Sequence, residues 1–105
     1  MTKEQLIKGI KSVIGKWGSL TTADMEMSSS PMFNYMSKDH FSTIERFGTD
    51  DVEVITYVHE VEVDSNTVSY EDLDYDLLFD IHNELESYDI GMTKTMEKMR
   101  DENWN

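Results

Sequence analysis

Apolar residues recur at helical spacing near both ends of this chain and alternate as in strands between them. Leu6, Ile7, Ile10, Val13, Ile14 and Trp17 form one narrow stripe on a helical wheel, which predicts an amphipathic helix over 2–16. Thr2 and Gln5 have capping-box spacing at its start, and Gly15 and Gly18 mark its end. Residues 20–28 alternate as a strand, with Ala23, Met25 and Met27 pointing one way and Thr22, Asp24 and Glu26 the other. Ser28, Ser29, Ser30 and Pro31 break it. Residues 32–39 fit a short strand or a loop packed by its own side chains.

A second strand is expected over 40–47, with Phe41, Thr43 and Phe47 on one face and Ile44 on the other. A turn follows at 48–51. Residues 52–63 are dense in β-branched and aromatic side chains and read as the main strand. Their apolar parity switches midway. Val52, Val54 and Val58 share one face, whereas Ile55, Tyr57, Val61 and Val63 share the other. Two explanations fit: partial cover on both faces, or a bulge near His59 and Glu60 that resets the register. Residues 64–67 read as a turn, with a short return strand through Val68.

Ser69, followed three residues later by Asp72, predicts a helix start, with Glu71, Asp72 and Asp74 near the positive end of the dipole. Leu73, Leu77, Leu78, Ile81, Leu85 and Tyr88 form its buried stripe, and Gly91 is the expected stop. Met92, Met96 and Met99 then predict a short tail helix, and Arg100 onward frays. The expected fold is therefore α+β: an N-terminal helix, a three- to four-stranded antiparallel sheet, and a long C-terminal helix plus short tail helix, with both helices on one sheet face. Residues 1–91 form one domain and 92–105 a partly helical tail.

Charge changes this picture. Residues 50–89 hold fourteen Asp and Glu side chains and no Lys or Arg, while the rest of the chain is nearly balanced within a net charge of −13. Such a surface repels itself and attracts cations. It disfavours direct nucleic-acid binding, which draws its affinity from Lys and Arg on phosphates. Lys3, Lys8, Lys11 and Lys16 cluster in the first helix, where they read as its solvated face. There is no Cys, so disulfides and thiol chemistry are excluded. No apolar run is long enough to span a membrane, and the opening residues lack a secretory signature, so a cytoplasmic protein is expected.

Motifs for catalysis are weak. Asp72, Asp74 and Asp76 imitate a calcium loop, but Leu77 stands where that loop needs Gly and Asn83 where it needs a bidentate Glu. Asp24, Glu26, Glu60 and Glu62 would gather on one sheet face only if their strands were neighbours. His40, His59 and His82 are far apart, and no phosphate loop or nucleophile elbow occurs. No metal or cofactor is expected.

Tyr75, Phe79 and Ile90 lie nearly opposite the leucine stripe, with His82 beside them. An aromatic pair on a wet face needs a cover. One candidate is the tail folding back to pack Met96 and Met99 on the rings. The other is a partner. The first functional reading is a non-enzymatic acidic module that binds a basic protein, with Tyr75, Phe79 and His82 as anchors and Asp72, Asp76, Asp80 and Glu86 as a charged rim. One version is a DNA mimic, as in small acidic inhibitors from phages and mobile elements. The second reading is a homo-oligomeric structural or accessory subunit, such as a homodimer. A metal-dependent enzyme ranks last.

Overall fold

The computed structural model describes residues 1–25, 32–35 and 39–103, with backbone only for 32–35 and 102–103. The elements in order are α1 (Lys3–Trp17), β1 (Leu20–Thr21), β2 (Met32–Tyr35), β3 (His40–Phe47), β4 (Asp51–Val58), β5 (Val61–Ser69), a 3-10 turn (Tyr70–Asp72) and α2 (Tyr75–Asn103). The strands pair antiparallel in the order β1-β3-β4-β5, and β2 also pairs with β3, off that path. The fold is α+β, with both helices on one sheet face.

Thr2 caps α1 as its spacing predicts: its hydroxyl accepts from the Gln5 amide at 3.1 Å, and the Gln5 side chain accepts from the Thr2 amide at 2.7 Å. Gly18 closes the helix with φ +87°, a conformation suited to glycine. Leu6, Ile10 and Ile14 of α1 pack with Leu78, Ile81 and Leu85 of α2 and with Ile44, Phe47, Val52 and Val54 of the sheet, forming one core. Tyr70 is fully buried beneath them and donates its hydroxyl to the Gly48 carbonyl at 2.7 Å, tying the 3-10 turn to the β3–β4 hairpin.

Several elements differ from the expected ones, each for a local reason. The first strand is only Leu20–Thr21, because Thr21 and Asp24 lock a turn: the Thr21 amide donates to the Asp24 carboxylate at 2.9 Å and the Asp24 amide to the Thr21 hydroxyl at 3.1 Å. The continuation over 26–28 and the break through Pro31 lie outside the described residues, as do 36–38. A register shift between Ile44 and Arg46 brings Phe47 onto the same face as Ile44, so both enter the core while Phe41 and Thr43 take the other face.

Within 52–63 both faces are partly covered, as one of the two expected explanations has it: Val52 and Val54 are buried on the helix side and Ile55 on the other. The single strand expected there is, however, a hairpin. His59 and Glu60 have φ of +50° and +66°, the geometry of a two-residue primed turn, and the chain reverses into β5. The expected turn at 64–67 is therefore strand, paired with β4 from Val54↔Asn66 to Thr56↔Asp64. The helix start also moves. Ser69 precedes the 3-10 turn, and α2 begins at Tyr75 with Asp74 as its cap, accepting from the Leu77 amide at 2.8 Å.

Gly91 does not stop α2. A glycine stop needs a left-handed residue, and Gly91 is not among the positive-φ residues. The tail is thus the last part of one continuous 29-residue helix. It makes the molecule long, at 54 × 31 × 18 Å, with a radius of gyration of 15.6 Å. A compact chain of this length has about 13 Å.

Candidate partner-binding surface

Helical periodicity sorts the side chains of α2 into two bands. Leu78, Ile81 and Leu85 are fully buried against α1 and the sheet. Tyr75 and Phe79 point away from that core and remain 41% and 43% exposed, and Ile90 follows them at 48%. The two rings stack, with centroids 6.3 Å apart and planes inclined by 20°. The Tyr75 hydroxyl donates to the Met1 carbonyl at 2.7 Å, which fixes one end of the pair. The rings are not covered by Met96 and Met99. Those residues sit on the same continuous helix, roughly 25 Å farther along its axis.

His82 departs from the expected anchor role. Its side chain is only 13% exposed and packs over Gly9 of α1. A methyl group on Gly9 would lie 2.7 Å from Nε2, so the glycine makes room for the ring. Its Nδ1 is buried without a hydrogen-bond partner and stands 3.6 Å from the Glu86 carboxylate. His82 is therefore part of the interface between the helices, and Glu86 alone reaches the exposed side.

Two sets of acidic side chains bear on this surface. One set is held within the molecule by α1. Lys11 approaches Glu71 at 3.3 Å and Asp50 at 3.8 Å, Lys3 donates to the Glu71 carbonyl at 2.7 Å, and Lys16 donates to Asp89 at 2.9 Å. The Ser69 hydroxyl, the backbone and Lys11 hold the Glu71 carboxyl down at about 2. Lys16 and the Trp17 indole, which donates at 2.8 Å, lower that of Asp89. The expected solvated face of lysines is thus largely committed to intramolecular pairs.

The other set is Asp72, Asp76, Asp80 and Glu84, all exposed and making no hydrogen bond or ion pair among the described residues. Asp76 and Asp80 flank the stacked rings one helical turn apart. No group of three or more Asp, Glu or His side chains among the described residues is arranged to hold a metal ion. The sheet acids do not gather: Asp24 lies in a turn beside β1 and Glu62 on β5, at opposite edges of the sheet. Glu26 lies outside the described residues. Among the described residues, no helix is long and apolar enough to cross a membrane.

Two features escaped the sequence reading. On the sheet face away from the helices, the Glu45 carboxylate accepts from Thr43 at 2.8 Å, Tyr57 at 3.3 Å and Thr22 at 3.4 Å. Burial, then the charge of Glu45, raises the Tyr57 phenol above its ordinary value. Phe41 stacks on Tyr57 at 5.2 Å, and Ile55 beside them is 5% exposed. This cluster is legible only once the bulge at Glu45 is known. The second is a shallow groove of about 320 Å³ between the 22–25 turn and α2, lined by Met25, Tyr88, Met92 and Thr95 among others. In comparisons with known proteins, no family model matches the chain, and no curated protein or solved structure matches it.

Proposed function

We propose that this chain is a cytoplasmic, non-enzymatic binding module that offers the first turns of α2 to a basic protein. The observation that carries the reading is the exposed Tyr75–Phe79 stack lying beside carboxylates that have no cation of their own. Aromatic anchors within a charged rim are the usual composition of an interface hot spot. Asp72, Asp76, Asp80 and Glu86 supply the rim, and Lys11 and Lys16 of α1 are paired elsewhere. The acidic surface speeds encounter with a cationic partner and weakens binding as salt rises. His82 supports the surface from beneath by holding α2 on α1.

The test is a titration of isotope-labelled protein with a Lys- and Arg-rich peptide that contains one Trp, followed residue by residue. Amide shifts should centre on Tyr75, Asp76, Phe79 and Asp80. Phe79→Ala and the pair Asp76→Lys, Asp80→Lys should each weaken binding by about tenfold or more, the scale of a hot-spot loss. Shifts that map elsewhere, or equal affinity in the variants, would remove this surface from the proposal. A parallel assay with a basic DNA-binding protein examines the mimic version: displacement of duplex DNA, abolished by the same charge reversals, supports it.

A further inference from the structure

The core stripe of α2 does not end where the domain ends. Leu78, Ile81, Leu85, Tyr88, Met92, Met96 and Met99 fall within one band about 80° wide on the helix. The first three are fully buried, and Tyr88 packs edge-on against Trp17 with centroids 6.1 Å apart. Trp17 is the last residue of α1, and the reach of Lys16 to Thr93, at 3.0 Å, marks how far along α2 that helix extends. Beyond it, α2 runs on to Asn103, roughly 15 Å farther. Met96 and Met99 continue the seam there at 53% and 58% exposure. A stripe of long apolar side chains in register with a core, on a helix that outruns α1, is among the described residues an unfilled half of a helix–helix interface.

We infer that the occupant is the same segment of a second copy, laid antiparallel. The seam is self-complementary about Met96: a two-fold axis there sets Met96 against Met96 and Met92 near Met99 of the second copy. Charge points the same way. Residues 90–105 carry three basic and three acidic side chains, whereas 50–89 carry fourteen acids and no base. The overhang is therefore where two such anions meet with little repulsion. The antiparallel arrangement also sends the two acidic bodies to opposite ends, separated by more than the screening length of about 8 Å at physiological salt, and opposes the helix dipoles. Two short overhangs bury less than the roughly 1,200 Å² of a standard stable interface, so the dimer is weak and concentration-dependent. Methionine suits such a seam because its flexible side chain fills an irregular contact.

This inference is independent of the surface at Tyr75 and Phe79, and its test keeps the two apart. Sedimentation equilibrium from about 5 to about 500 µM in about 0.15 M salt should show the mass rising from 12.2 kDa toward twice that value. The double variant Met96→Asp, Met99→Asp should stay monomeric throughout with unchanged far-ultraviolet dichroism, and Phe79→Asp should associate like the parent chain. Because the chain has no cysteine, Met96→Cys should oxidise selectively to a disulfide-linked dimer, and Lys94→Cys, on the far side of the helix, should not. A monomer across the whole range overturns the proposal. So does association that survives the double aspartate variant or is abolished by Phe79→Asp.

Discussion

Glu71 joins three parts of the molecule through one carboxylate. It accepts from Ser69 at the end of β5 and from Lys11 on α1, while its own carbonyl accepts from Lys3. These contacts favour the ionised form, and the Ser69 hydroxyl contributes most. The sign of the pH effect follows. A carboxyl held at about 2 in the fold, against an ordinary value of 4.5, stabilises the fold fully above 4.5. That contribution fades as pH falls toward 2. Denaturation midpoints of the parent chain and of Glu71→Gln should therefore differ at neutral pH and converge across that acid window. Carbon-detected titration of Ser69→Ala should show the Glu71 midpoint moving up toward 4.5, and by more than in Lys11→Met. A larger shift in Lys11→Met would mean that charge, not the hydroxyl, sets the value.

The elements owe their ends to single residues, and Gly91 is the informative one. It sits inside α2 with open space around it and no positive φ. Gly91→Ala should thus stabilise the helix by about 0.5–1 kcal/mol, raising the melting temperature by a few degrees without altering the fold. A loss of stability would mean that the glycine is needed for a bend or a close contact. The same residue marks where sequence reading runs out. Periodicity placed α1, β3 and α2 because their apolar stripes are long and their caps local. It mistook Gly91 for a stop because glycine composition does not report φ. It merged β4 and β5 because His59 and Glu60 take left-handed turn positions usually filled by Asn and Gly. The parity switch was nevertheless visible in the side chains, and its cause is cover on both faces of β4: Val52 and Val54 meet the helices, Ile55 and Tyr57 the cluster on the other side. At the surface, the exposure of Tyr75 and Phe79 followed from the helical wheel alone. The burial of His82 did not, because it depends on Gly9 lying opposite on another helix, and the pairing of Lys11 and Lys16 with Glu71, Asp50 and Asp89 depends on tertiary contact in the same way.

At the scale of the whole molecule, two electrostatic effects oppose each other. The pairs from Lys11 and Lys16 attract, yet they are largely exposed, and solvent and salt screen pairs of that kind until they stabilise little. Against them stands the mutual repulsion of an acidic block that includes Asp72, Asp76, Asp80 and Glu84 on one short stretch of chain. The molecule is 31 Å across its middle axis. At about 0.01 M salt the screening length is about 30 Å, so every acid on the body acts on every other; at about 0.15 M it is about 8 Å, and only neighbours count. Screening therefore removes many repulsions and weakens only a few close attractions. The melting temperature at neutral pH should rise by several degrees from low to about 0.5 M sodium chloride. The measurement belongs on the monomeric Met96→Asp, Met99→Asp chain, since salt also favours association of two anions and would add its own stabilisation. A fall with salt would instead make the links from α1 the dominant electrostatic term. The body would then be held together by its lysines, and a cationic partner that competed for Glu71 or Asp89 would loosen the fold as it bound.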